Sequence, residues 1–128
     1  VWIPIPDPFL DMDDEPWSIT FRDGSSKEVD FVEVLQFTNR RCPVKSGDDA
    51  QRTLDIAKVL KEVGDEDTYI EMLEDDFTWM KEHIKEMAHQ VWHPPDAAFL
   101  YRYLEEAVRK TNPYRGGNGK ADAVPPEE

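Results

Sequence analysis

Three histidines and a glutamate stand close together in the chain: His83, Glu86, His89 and His93. Histidines about four residues apart on one helical face can share a metal ion, and Glu86 lies a turn away. His93 precedes Pro94, however, and a residue before proline is biased out of helical geometry. That breaks the His89 and His93 pairing, and no second ligand cluster appears elsewhere in the sequence. The plainer expectation is a set of helix-surface histidines with no metal and no cofactor. A metal-dependent enzyme is the least favoured reading.

Cys42 is the lone cysteine. As a nucleophile it would need a base and an electropositive setting. Arg40 and Arg41 supply the charge but nothing nearby supplies the base, so a structural thiol is expected. A single cysteine allows no intrachain disulfide and favours a reducing, intracellular setting. The segment Gly116-Gly117-Asn118-Gly119-Lys120 looks like a phosphate loop only superficially. It lacks the preceding strand, the spacing and the following helix.

The carboxylates are too many to isolate a general-acid pair. They come in runs: Asp11, Asp13, Asp14 and Glu15; Asp65, Glu66 and Asp67; Glu74, Asp75 and Asp76. None follows the alternating calcium-loop pattern. Solvated loops and helix starts account for most of them, with one sharper alternative. The runs could imitate a phosphate backbone and occupy the site of a nucleic-acid-binding enzyme. With 15 Lys and Arg against 28 Asp and Glu, the net charge is −13. Such a surface repels phosphates, so direct binding to nucleic acid or to an anionic membrane is not expected.

The elements that must position these residues begin with residues 1–16, VWIPIPDPFLDMDDEP. Pro4, Pro6 and Pro8 lack amide donors and push their predecessors toward extended geometry, against a helix or a central strand. Yet Trp2, Ile3, Ile5, Phe9 and Leu10 are apolar residues that a solvated tail would not carry. The expectation is an extended arm that docks on its own domain or on a neighbour. Function in trans is the favoured version.

Trp17–Arg22 alternates as a half-buried strand, Asp23–Ser26 can turn, and Lys27–Phe31 can return as a second strand. Asp30 and Glu33 form an acidic capping box for a helix over about 31–38, with Phe31, Val34 and Leu35 inward. Residues 39–47 read as a basic loop. A second helix over about 50–63, capped by Asp48 or Asp49, would turn Leu54, Ile56, Ala57, Val59, Leu60 and Val63 inward. Thr68–Leu73 reads as a third strand against the hairpin. The stretch 75–91 has the clearest helical period, and Pro94-Pro95 starts a last helix to about Lys110. From Thr111 the composition is that of a disordered tail.

The expected architecture is therefore α+β. A small antiparallel sheet, the hairpin plus a third short strand, is packed by three to four helices within a single domain spanning 17–110. The arm 1–16 precedes it and the tail 111–128 follows. No apolar run approaches the roughly 18 residues of a membrane span, and the start does not read as a signal peptide.

Three stretches carry a resemblance: WSITFRDGSSKEVDFVEVL, DDAQRTLDIAKVLKEV and YIEMLEDDFTWMKEHIKEM. Their order, hairpin into short helix and then two further helical segments, resembles small acidic phage-encoded proteins of virion morphogenesis, tail-assembly-chaperone-like proteins among them. The resemblance implies a non-enzymatic factor that binds structural or assembly proteins, in the host cytoplasm or the virion. The expected partner is a protein, either a phage structural subunit or another copy of the chain. The residues expected to meet it are Trp2, Ile3, Ile5, Phe9 and Leu10 of the arm, with Trp79, Trp92 and Tyr101 on an aromatic-bearing helical face. Trp and Tyr are the preferred anchors of protein interfaces.

Overall fold

A computed structural model describes residues 1–114. The glycine stretch 116–120 and nearly all of the expected tail lie outside the described residues. The protein is α+β, with four α-helices and two antiparallel pairs of short strands. No helix among the described residues is long and apolar enough to cross a membrane.

The hairpin forms where alternation and turn chemistry place it. Strand β2 (Ser18–Thr20) pairs with β3 (Ser26–Glu28), Ile19 facing Lys27. Gly24, at φ 88°, supplies the left-handed turn residue, and Asp23 Oδ1 accepts from Ser25 N at 2.9 Å. Helix α1 (Phe31–Arg41) then starts on the expected capping box. Asp30 Oδ1 accepts from Glu33 N at 2.8 Å, and Glu33 Oε1 accepts from Asp30 N at 3.0 Å. This helix runs past Thr38 to Arg41, whose charge with that of Arg40 suits the carbonyl end.

Two sheets form, not one, and the third strand does not join the hairpin. Strand β4 (Tyr69–Glu71) pairs with β1 (Trp2–Pro4) inside the arm, with Ile3 opposite Ile70. The prolines permit this because of the register. Met72 N donates to Val1 O and Ile5 N to Thr68 O, both at 2.9 Å, so odd-numbered arm residues bond toward β4. Trp2 turns its N–H and C=O the other way and exchanges two 2.8 Å bonds with Arg109. Pro4 falls at an even position, where its missing N–H removes no bond to β4.

Helix α2 (Gly47–Lys61) is capped by Ser46, whose Oγ accepts from Asp49 N at 3.1 Å; the expected caps Asp48 and Asp49 sit in its first turn. Its buried face is narrower than its apolar sequence suggests. Ile56 and Leu60 are buried and Val59 and Val63 half-buried, while Leu54 is 48% exposed and Ala57 faces solvent. Helix α3 (Glu74–Met87) buries Phe77, Met80 and Ile84, followed by a 3-10 turn over Ala88–Gln90. Asp76 in its first turn is not solvated. It is buried and pairs with Arg52 Nη1 at 2.7 Å, tying α3 to α2. Helix α4 (Pro94–Ala107) opens on its two prolines and buries Ala97, Leu100 and Leu104.

The core unites the arm, β4 and the four helices, with Trp17 and Val29 entering it from the two ends of the hairpin. Ile3, Phe31, Leu35, Ile56, Leu60, Ile70, Leu100 and Leu104 are wholly buried. Phe9 of the arm is the centre of an aromatic cluster. It stacks on Trp17 with centroids 5.2 Å apart and meets Phe31 edge-on at 4.9 Å, with Tyr103 at 5.9 Å. Fully burying such a side chain contributes about 1.5–3 kcal/mol. The arm is thus an internal part of its own fold, and the expectation that it acts in trans is corrected. Docking in cis lets Ile3 and Phe9 close a core that helices α1 and α4 leave open.

Candidate functional site

The residues expected to meet a partner are dispersed. Ile3 and Phe9 are buried, Trp2 and Leu10 are half-buried, and Leu10 bridges to Pro16 across the acidic turn. Trp92 lies between helices, not on one. Its indole N–H donates to Thr38 Oγ1 at 2.7 Å, and its ring meets Trp17 edge-on at 4.9 Å. A tryptophan so held is a core linker. Trp79 and Tyr101 remain half-buried at the surface, but they do not share a face. Tyr101 meets α3 through Lys85, whose Nζ lies 5.4 Å from its ring centroid. At about 100° per residue, Trp79 and Lys85 fall on opposite flanks of the buried stripe of α3.

The histidine group does not converge. His83 stacks on Trp79 with centroids 4.5 Å apart, Glu86 faces Lys45 at 3.5 Å, and His93 stands at the N-cap position of α4 without a side-chain capping bond. His89 is exposed in the 3-10 turn. Among the described residues no three His, Cys, Asp or Glu side chains are placed to hold a metal ion. Cys42 is buried at the end of α1, and burial pushes its thiol pKa up to about 11. At neutral pH it is a protonated thiol with almost no thiolate available for attack.

The feature with a shape that can receive something lies elsewhere. A cleft of about 560 Å³ opens between the arm, the start of α1 and the chain leaving α2. Its apolar surface comes from Ile5, Pro6, Val32 and Val63, over the buried Leu60. Among the described residues, six carboxylates line it, Asp7, Asp30, Glu33, Asp65, Glu66 and Asp67, against one cation, Lys61. Three of the six also do structural work. Asp30 and Glu33 cap α1, and Asp67 Oδ2 accepts from Gly64 N at 2.8 Å. The Asp30 amide, with Lys27 Nζ at 2.9 Å, holds the Glu33 carboxyl below the usual carboxylate range. Asp7, Asp65 and Glu66 make no side-chain hydrogen bond or ion pair among the described residues.

A second concavity of about 430 Å³ shares Val63, Glu66, Asp67 and Thr68 with the first. Glu62 and Glu71 add charge there, and Tyr69 and Tyr114 form an aromatic wall with centroids 5.5 Å apart. The two concavities meet along the segment 63–68. Sequence reading found the 65–67 acid run but not the cleft, because Asp7, Asp30 and Glu66 come together only when the arm docks. A smaller apolar dent of about 250 Å³ lies between Met12 and Phe99, with Arg102 at its edge.

The apolar floor and the acidic rim offer contact area and charge to a bound group. No family model, curated protein or solved structure matches the chain.

Proposed function

We infer that this protein is a non-enzymatic protein-interaction factor, an accessory of phage virion or tail assembly, whose working surface is the double cleft along residues 63–68. The observation that carries the reading is an open concavity that combines an apolar floor with, among the described residues, six carboxylates against one cation. Interfaces use apolar contact for affinity and charge for steering and register. The raised thiol pKa of Cys42 supports a structural role for that side chain over a nucleophilic one. The resemblance to virion morphogenesis proteins supports assembly as its setting.

A second reading places the same surface in an inhibitor that imitates nucleic acid. The exposed run Asp65, Glu66 and Asp67 at the cleft rim favours it. Reversing those three charges would then abolish binding to a nucleic-acid-binding target and remove a steep salt dependence.

Site-directed photocrosslinking during virion assembly tests the main reading. A photoreactive residue replacing Glu66 should form an adduct with one structural protein, while the same residue replacing Glu106 on α4 should not. Adducts at neither position, or equally at both, would remove the cleft as the working surface.

A further inference from the structure

We propose that the double cleft takes an extended, arginine-bearing segment of a partner protein in which basic residues alternate with apolar ones; this rests on the interaction reading above and specifies its ligand. The shape sets the first requirement. The two concavities run into one another over Val63 and Thr68, so a single extended chain can cross both, whereas a compact ion would leave most of the surface uncovered.

The floor sets the second. Ile5, Val32 and Val63 stay half-buried in the free protein and so retain apolar surface to be covered. Side chains of an extended segment alternate in direction, so one set can reach this floor while the other meets the rim.

Charge sets the third. The rim of the first concavity is acidic, and the second adds Glu62 and Glu71 with no lysine or arginine in its lining among the described residues. Among the described residues Asp7, Asp65 and Glu66 make no side-chain hydrogen bond or ion pair, so pairing them with a partner breaks no contact described there. Arginine fits better than lysine for two reasons. Its planar fork pairs with carboxylates in two-point fashion, and its face stacks on aromatic rings such as Tyr114, which is 50% exposed. Arg109 already lies 5.8 Å from the ring centroid of Tyr69, so this wall accepts a guanidinium.

The net charge of −13 argues for a foreign basic segment over a second copy, since two copies repel at long range.

The test titrates the full chain with short labelled peptides followed by fluorescence anisotropy. One alternates arginine with valine, one alternates arginine with glycine, and one alternates glutamate with valine. The arginine–valine peptide should bind at least about tenfold more tightly than the arginine–glycine peptide. The glutamate–valine peptide should not bind. The triple variant Asp7→Asn, Asp65→Asn, Glu66→Gln should weaken arginine–valine binding by about tenfold or more. A control with the same charge change, Asp75→Asn, Glu82→Gln, Glu106→Gln, should leave it within about twofold. All six positions are exposed, so both variants should fold.

Equal weakening by both triples would reduce the effect to net charge and overturn the proposal. Equal binding of the valine and glycine peptides would remove the apolar requirement and overturn it too. A Glu66 crosslink to a structural protein alongside peptides that fail to bind would leave the interaction reading standing and sink only this assignment of its ligand. Self-association of the full chain that the arginine–valine peptide cannot displace would hand the cleft to a second copy.

Discussion

The phenolic hydroxyl of Tyr103 donates a 2.7 Å hydrogen bond to the carbonyl oxygen of Pro4, across 99 positions of sequence. Tyr103 projects from the third turn of α4, and Pro4 closes the arm strand β1. The same ring meets Phe31 edge-on at 5.2 Å. One side chain thus holds together the arm, the first helix and the last. Burial, reinforced by Tyr69, raises the phenol's pKa, so it stays a donor throughout the neutral range. The arm wall of the cleft, Ile5 to Asp7, begins at the very next residue, so the core contact and the binding surface are mechanically joined.

Tyr103→Phe removes that donor while keeping the ring. The expected loss of stability is about 1 kcal/mol, the ordinary net worth of one such bond. A urea melt of the variant measures it. A loss near zero would mean the Pro4 carbonyl finds water, and that the arm is held by its apolar contacts alone.

Deleting residues 1–16 should unfold the remaining chain. It removes Ile3 and Phe9 from the core and leaves β4 without its pairing strand. Milder probes grade the same claim. Ile3→Ala should cost about 2–5 kcal/mol and Phe9→Ala about 3–5 kcal/mol. Circular dichroism melts read both. A truncated chain that melts like the full one would place the arm outside the core.

Cys42 should resist thiol reagents. With the thiol pKa raised to about 11 by burial, the thiolate fraction at pH 8 is minute and the sulfur is shielded. Modification by an aromatic disulfide reagent should be slow in buffer and immediate in denaturant. Fast labelling of the native protein would show an open path to the sulfur and a reactivity the packing does not support.

Glu33 should make a small contribution to acid sensitivity. Its folded pKa lies below the reference 4.5, because the Asp30 amide and Lys27 stabilise the carboxylate. The ionised form therefore favours the folded state. That contribution is complete above the reference value and is lost as pH falls through the lowered folded one. Because the side chain is 36% exposed, screening keeps the effect modest. Glu33→Gln should flatten the acid limb of the stability curve while leaving its neutral region nearly parallel to wild type. Urea midpoints measured from about pH 6 downward test the slope.

Local chemistry made much of the molecule legible without coordinates. The Asp30 and Glu33 capping box, the Asp23-Gly24 turn, the period of Phe77, Met80 and Ile84, and the double proline opening α4 all act within a few residues. Their energetics do not depend on distant partners, so reading the chain in sequence recovers them, and with them the α+β class.

Tertiary structure alone decided the rest. Three-residue strands carry too little pattern to name a partner. Pairing of Ile3 with Ile70 is settled by burial across 67 positions, not by propensity. Register then decided that Pro4 is harmless, since its nitrogen faces away from β4. Trp92 looked like an interface anchor until its N–H met Thr38, and Leu54 looked like core until α2 turned it to solvent. The cleft itself is a product of the same long-range closure. Acids distributed from Asp7 to Asp67 become one rim only when the arm folds back, because charge in a sequence has no direction until the backbone supplies one.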